Sequence, residues 1–131
     1  MFVDASAIVA ILADEDDASE LSSRFIRAPI VKTSALAVYE AVLGLARAQT
    51  ISTADAELAV GNFLSAAEAE IIPITAEIGR GAIQAFERFG RGRHPARLNM
   101  GDCFAYACAR SLDVPLLFKG DDFSQTDIAT A

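Results

Sequence analysis

The chain has 131 residues, 53% hydrophobic and 22% charged, and its 11 basic and 18 acidic side chains leave a formal net charge of −7. This is the size and composition of one globular domain, here residues 1–131, which buries about two thirds of the surface of its unfolded chain; it excludes a disordered tail or a fibrous repeat. The acid excess excludes a generic basic coat for nucleic acid, although a bound divalent cation or a local basic patch keeps such a partner open.

No run of 18 apolar residues is present, so no membrane span is expected, and the opening Met1-Phe2-Val3-Asp4 lacks the basic segment of a secretion signal. Cys103 and Cys108, five apart in a helical stretch, point to different faces and read as two free thiols suited to the cytoplasm. A single histidine leaves zinc chemistry and Ser-His-Asp catalysis poorly supplied.

In chain order, Met1–Val3 is a short apolar strand and Ala5–Ala13 a buried helix. Residues 15–27 form an amphipathic helix with Leu21, Phe25 and Ile26 inward, after an acidic run, Asp14 to Asp17, that reads as a solvated helix start. Ile30–Thr33 is a second strand. Ser34–Ala48 is a helix carrying Leu36, Tyr39, Leu43 and Ala46 at helical spacing. Ser52, with Asp55 three residues on, resembles a capping box opening a helix to about Ala69. Ile71–Ile74 is a strand, and Thr75–Phe89 a helix with Ile78, Ala82, Ala85, Phe86 and Phe89 on one side. A glycine- and arginine-rich loop, 90–98, leads to a helix beginning at Asn99 or Gly101 and running to about Leu112. Val114–Lys119 is a strand, Gly120–Phe123 a turn, and Thr126–Ile128 a possible edge strand. Strands separated by helices imply a parallel sheet with helices on both faces, whose site lies beyond the carboxyl ends of the strands.

Four acids stand out there. Asp4 ends the first strand. Glu40 has only Leu36, Ala37, Leu43 and Gly44 at helical neighbour spacing, so no basic partner compensates it. Asp102 begins a helix, where it could also belong to a cap with Asn99. Asp122, beside Asp121, follows the last strand. Unpaired acids on one sheet edge raise one another's pKa. A hard cation, Mg²⁺ or Mn²⁺, resolves this by binding oxygen ligands, activating water and stabilising a phosphoryl transition state. Metal-dependent phosphodiester hydrolysis follows.

In this order and spacing, the opening FVDASAIVAIL (2–12), the helix around Glu40, LNMGDCFAYACA (98–109) and LLFKGDDFSQTDI (116–128) resemble the PIN-domain VapC-type toxin ribonucleases of toxin-antitoxin pairs. The resemblance runs from Met1 to about Ile128. It implies a PIN-like three-layer α/β/α sandwich with a mostly parallel central sheet of four to five strands. It assigns Asp4, Glu40 and Asp102 to the metal, with Asp122 (or Asp121) as the fourth acid and Ser6 in support. It also implies Mg²⁺- or Mn²⁺-dependent cleavage of an RNA, often a tRNA or an rRNA loop, leaving a 5′-phosphate and a 3′-hydroxyl. A homodimer and a cognate antitoxin protein are its expected partners.

Arg88, Arg91, Arg93 and Arg97, with His94, fall within ten residues that hold only Arg, Gly, Phe, His, Pro and Ala. Guanidinium suits bidentate phosphate contact, so Arg91, Arg93, His94 and Arg97 are candidate RNA or antitoxin contacts; Lys119, near the acid edge, is another. Phe86 and Phe89 read as core. The rival readings are weaker. A receiver-like domain needs an acid at the end of the middle strand, which Ile71–Thr75 lacks, and a haloacid-dehalogenase-like phosphatase needs one at position 6, which is Ser. A non-catalytic PIN-like binding module is the alternative from another class.

Overall fold

The computed structural model describes residues 1–131. β1 (Phe2–Val3) leads directly into α1 (Ala5–Leu12), followed by α2 (Ala18–Arg27), β2 (Lys32–Ser34), α3 (Ala35–Gln49), α4 (Thr53–Ala66), β3 (Glu70–Ile72), α5 (Ala76–Phe89), α6 (Met100–Ser111) and β4 (Leu116–Leu117). The four strands form one sheet in the order β3-β2-β1-β4, every pair parallel, with Phe2 opposite Lys32 and Leu116 and Val3 opposite Leu117.

Alternation along the strands splits the core in two. Phe2 and Leu116 pack with α5 and α6, whereas Val3 and Leu117 pack with α1, α2, α3 and α4. All four side chains are fully buried, as expected for central parallel strands covered on both faces. The result is a three-layer α/β/α sandwich. No helix is long and apolar enough to cross a membrane.

Local chemistry starts the helices where the sheet needs them. Asp4, Ser34, Ser52, Thr75 and Asn99 each cap a helix by accepting a hydrogen bond from its first turn. Asp4 and Ser34 are also the residues at which β1 and β2 stop, so each strand hands over to its helix at the carboxyl edge. Gly44 lets α3 pack closely on α1, because a Cβ there would come within 2.9 Å of Val9 Cγ2.

Several details differ from the sequence reading. The strands are shorter than expected, and β2 and β3 are shifted: β2 covers 32–34 and β3 covers 70–72. Thr126–Ile128 is not a strand. A 3-10 turn at Phe123–Gln125 precedes it, and the chain end reaches the sheet only through one bridge, Leu116 to Thr130. Ile26 is 80% exposed rather than inward, leaving Leu21 and Phe25 as the buried face of α2. The buried face of α3 is Ala37, Ala41, Val42 and Leu45, and Tyr39 is exposed. Phe86 is also exposed, with the Arg93 guanidinium 5.3 Å from its ring centre. α3 keeps the expected helical period, but small residues share its buried face, so the face is turned away from Leu36, Tyr39, Leu43 and Ala46.

Candidate active site

In this sheet order the chain passes from β1 outward to β2 on one side and β4 on the other, so the crevice at their carboxyl ends is the topological switch point. A cleft of about 410 Å³ opens there, lined by Asp4, Ala5, Ser6, Val9, Glu15, Glu40, Asn99, Asp102 and Lys119. The structure thus brings Asp4, Glu40, Asp102, Ser6 and Lys119 together.

Asp4 is almost fully buried. Its Oδ2 accepts from the Ser6 main-chain N–H (3.0 Å) and from Ser6 Oγ (2.5 Å). Burial raises its pKa, opposed by those bonds. Ser6 Oγ in turn accepts from the Lys119 N–H at 3.1 Å, which joins the end of β4 to Asp4. Asp102 completes a capping box: its Oδ2 accepts from the Asn99 N–H while Asn99 Oδ1 accepts from the Asp102 N–H, both at 2.9 Å. The cap and the site are therefore the same residue. Burial chiefly raises the Asp102 pKa to about 6; Asp4 and Asp122 add to the rise, and the Asn99 bond and Arg91 oppose it. Glu40, half-buried on α3, is raised to about 7 by burial, then by Asp4 and Asp102. Its carboxylate lies against Gly101.

The two candidates for the fourth acid separate here. Asp121 and Asp122 are both exposed and neither lines the cleft, but Asp122 adds to the rise at Asp102 and Asp121 does not.

The donor set fits a hard divalent cation. All candidate ligands are oxygens, Asp4 is buried without a cationic partner, and the one cation lining the cleft, Lys119, is engaged by Glu15 and Asp17. No three of these side chains converge into a ready cluster. An ion that takes one or two direct carboxylates and several waters does not require one.

The arginine loop is anchored. Gly90 and Leu98 pair, Ala96 and Leu98 are buried, and the Arg91 N–H donates to the Leu98 carbonyl at 3.0 Å. Arg91, Arg93 and Arg97 are exposed and form no ion pair. His94 faces inward: its Nδ1 accepts from the Ala96 N–H at 3.1 Å and its ring meets Phe89 edge-on, so it shapes the loop. Arg88 is also occupied by the fold, donating to Asp127 at 3.0 Å. Cys103 and Cys108 are buried free thiols whose burial pushes both up to about 11.

Sequence reasoning missed Glu15 and Gly101. Asn99 was legible as a helix cap. Glu15 was hidden in an acidic run that looked solvated; Asp14 and Asp16 are exposed, but Glu15 and Asp17 are half-buried against Lys119.

The fold agrees with comparison to known proteins. The family model for the PIN domain matches residues 1–129. A VapC ribonuclease of Rhizobium meliloti is 40% identical over 97% of this chain and 98% of its own length. Ribonuclease VapC28 of Mycobacterium tuberculosis is 42% identical over 100% of this chain and 97% of its own length. Among solved structures, the crystal structure of the Sarcin-Ricin loop cleaving toxin VapC20 of Mycobacterium tuberculosis superposes with a TM-score of 0.79, at 19% identity, covering 99% of this chain and 97% of that one. With a PIN model spanning the chain and full-length relatives at about 40% identity, this protein belongs to the PIN-domain family and, within it, to the VapC ribonucleases.

Proposed function

We propose that residues 1–131 form a single-domain, Mg²⁺- or Mn²⁺-dependent endoribonuclease, the toxin of a type II toxin-antitoxin pair, acting on tRNA or rRNA in the cytoplasm. The full-length VapC ribonuclease relatives support the RNA-hydrolase activity. The observation that carries the metal dependence is that Asp4, Glu40 and Asp102 line one cleft whose only lining cation, Lys119, is already paired.

Asp4 and Asp102 would hold the ion, and Asp122 would support it from the rim. A divalent ion bound there supplies Lewis-acid stabilisation of phosphate charge and a more acidic water. Ser6 holds Asp4 by donating two hydrogen bonds to Oδ2, which leaves Oδ1 without a hydrogen bond from Ser6. Glu40, raised to about 7, is poised to orient the attacking water and take its proton. Cleavage of the bond from phosphorus to the 3′ oxygen then leaves a 5′-phosphate and a 3′-hydroxyl. Arg91, adjacent enough to lower the Asp102 pKa, with Arg93 and Arg97, offers unpaired guanidinium groups for the RNA backbone or an antitoxin.

Two exposed apolar hollows support protein partners. One of about 540 Å³, lined by Ile83, Phe86, Met100 and Phe104, supports a homodimer through α5 and the start of α6. The other, of about 370 Å³ between α2 and α4, is lined by Phe25, Ile26 and Phe63.

The test is cleavage of total cellular RNA by protein freed of antitoxin, with Mg²⁺, Mn²⁺ or EDTA. Discrete new ends that require metal, and that disappear in Asp4→Asn and Glu40→Gln, are expected. Metal-independent cleavage, or full activity in Asp4→Asn, would overturn the assignment.

A further inference from the structure

The one cation lining the acid cleft is clamped. Lys119 Nζ pairs with Glu15 Oε2 and lies 3.5 Å from Asp17 Oδ1. The Lys119 main chain is anchored to Ser6 Oγ, beside Asp4. The turn between α1 and α2 is built to aim the two acids. Asp14 takes a left-handed φ of 53°, and the acids after it alternate inward and outward. Asp17 occupies the N-cap of α2 yet makes no capping hydrogen bond, and its Oδ1 is buried without any hydrogen-bond partner. An N-cap aspartate ordinarily accepts from the first turn of its helix. This one faces the lysine.

We propose that Glu15 and Asp17 form a releasable carboxylate clamp on Lys119, which exchanges the clamp for a backbone phosphate of the RNA at the mouth of the cleft. This rests on the RNA-hydrolase reading of the site. A lysine ammonium is a compact, strongly hydrated charge on a flexible stem, and an ion pair of this exposure is weak and screened by salt, so the exchange is facile. While clamped, Lys119 offers no net charge, and the other charged side chains lining the cleft are all carboxylates. The clamp therefore sets how tightly RNA is held and leaves the chemical step alone. Glu15 and Asp17 are positioning residues acting through Lys119.

The test is a double-mutant cycle of Glu15→Gln and Lys119→Met. The readouts are steady-state cleavage and, in a Glu40→Gln background with EDTA, anisotropy of a short fluorescein-labelled single-stranded oligoribonucleotide. Glu15→Gln is expected to lower both KM and Kd about two- to fivefold with kcat unchanged. Lys119→Met is expected to raise both and to reduce the salt slope of binding by about 1. In the Lys119→Met background, Glu15→Gln is expected to have no effect. A KM that is unchanged or raised in Glu15→Gln would overturn the clamp. So would a full Glu15→Gln effect without Lys119, which would make Glu15 a general repulsive charge. Asp17→Asn repeats the test should Glu15→Gln disturb folding. Coupling in the binding cycle without cleavage of any RNA by the wild type would remove the nuclease reading and leave the clamp; cleavage without coupling would remove the clamp alone.

Discussion

The carboxylate of Glu40 lies so close over Gly101 that a Cβ at position 101 would overlap both of its oxygens. The missing side chain on α6 is what allows α3 to place its acid beside Asp102. Gly101→Ala is therefore expected to displace Glu40 and lower kcat by about 10² or more, the scale of a misplaced catalytic group. Circular dichroism should show a folded protein. Wild-type turnover in Gly101→Ala would mean that the position of Glu40 is not critical.

Ser6 gives Asp4 both of its hydrogen bonds at Oδ2 and receives one from Lys119. Ser6→Ala removes the hydroxyl and leaves the main-chain bond. Loss of a group that orients a ligand typically costs 10–100-fold in metal affinity, so about that weakening of Mn²⁺ binding is expected by calorimetry. An unchanged affinity would remove Ser6 from the site.

The pH response without metal follows from the raised acids. Glu40 at about 7 and Asp102 at about 6 both titrate above their unfolded values, so the folded state binds protons more tightly than the unfolded chain. The stability they confer is present below about pH 4 and is lost as pH rises through 6 to 7. Asp127 has the opposite sign. Bonds from Tyr106 Oη (2.5 Å) and Arg88 hold it below the usual carboxylate range, so its contribution is present above about pH 4 and lost as pH falls further. The melting temperature in EDTA should therefore fall between pH 5 and 7.5, and Glu40→Gln should flatten that fall. Mn²⁺ should restore stability most at the high end, where the acids are ionised. A melting temperature that rises across this range would contradict the assignment.

Tyr106 also separates fold from site. Its hydroxyl ties α6 to Asp127 in the C-terminal segment, and neither residue lines the acid cleft. Tyr106→Phe is expected to cost about 1 kcal/mol, or about 4 °C in melting temperature, with cleavage unchanged. A kcat loss at constant stability would place Tyr106 in the catalytic path.

The legibility of each feature depended on how far its cause lies along the chain. Asp4, Glu40 and Asp102 were readable because each stands among apolar neighbours within one helical turn, and a carboxylate there needs a reason. The caps at Ser52 and Asn99 were readable because each has an aspartate three residues on. Glu15 was not, because its partner Lys119 is 104 residues away. Nor was Gly101, whose constraint comes from α3. Ile26 and Phe86 carry core-like side chains but are exposed, because the buried face of α2 is Ala18, Leu21 and Phe25 and that of α5 is Ile78, Ala82, Ala85 and Phe89. β1 and β4, covered on both faces, are only two buried residues each.

The most direct measurement is calorimetric titration of Mn²⁺ into wild-type protein, Asp4→Asn, Asp122→Asn and Asp121→Asn at pH 7.5. The expected result is binding to the wild type, loss in Asp4→Asn, weakening in Asp122→Asn and little change in Asp121→Asn. Equal binding by wild type and Asp4→Asn would show that the acid cleft is not the metal site, and the account of catalysis built on it would fail.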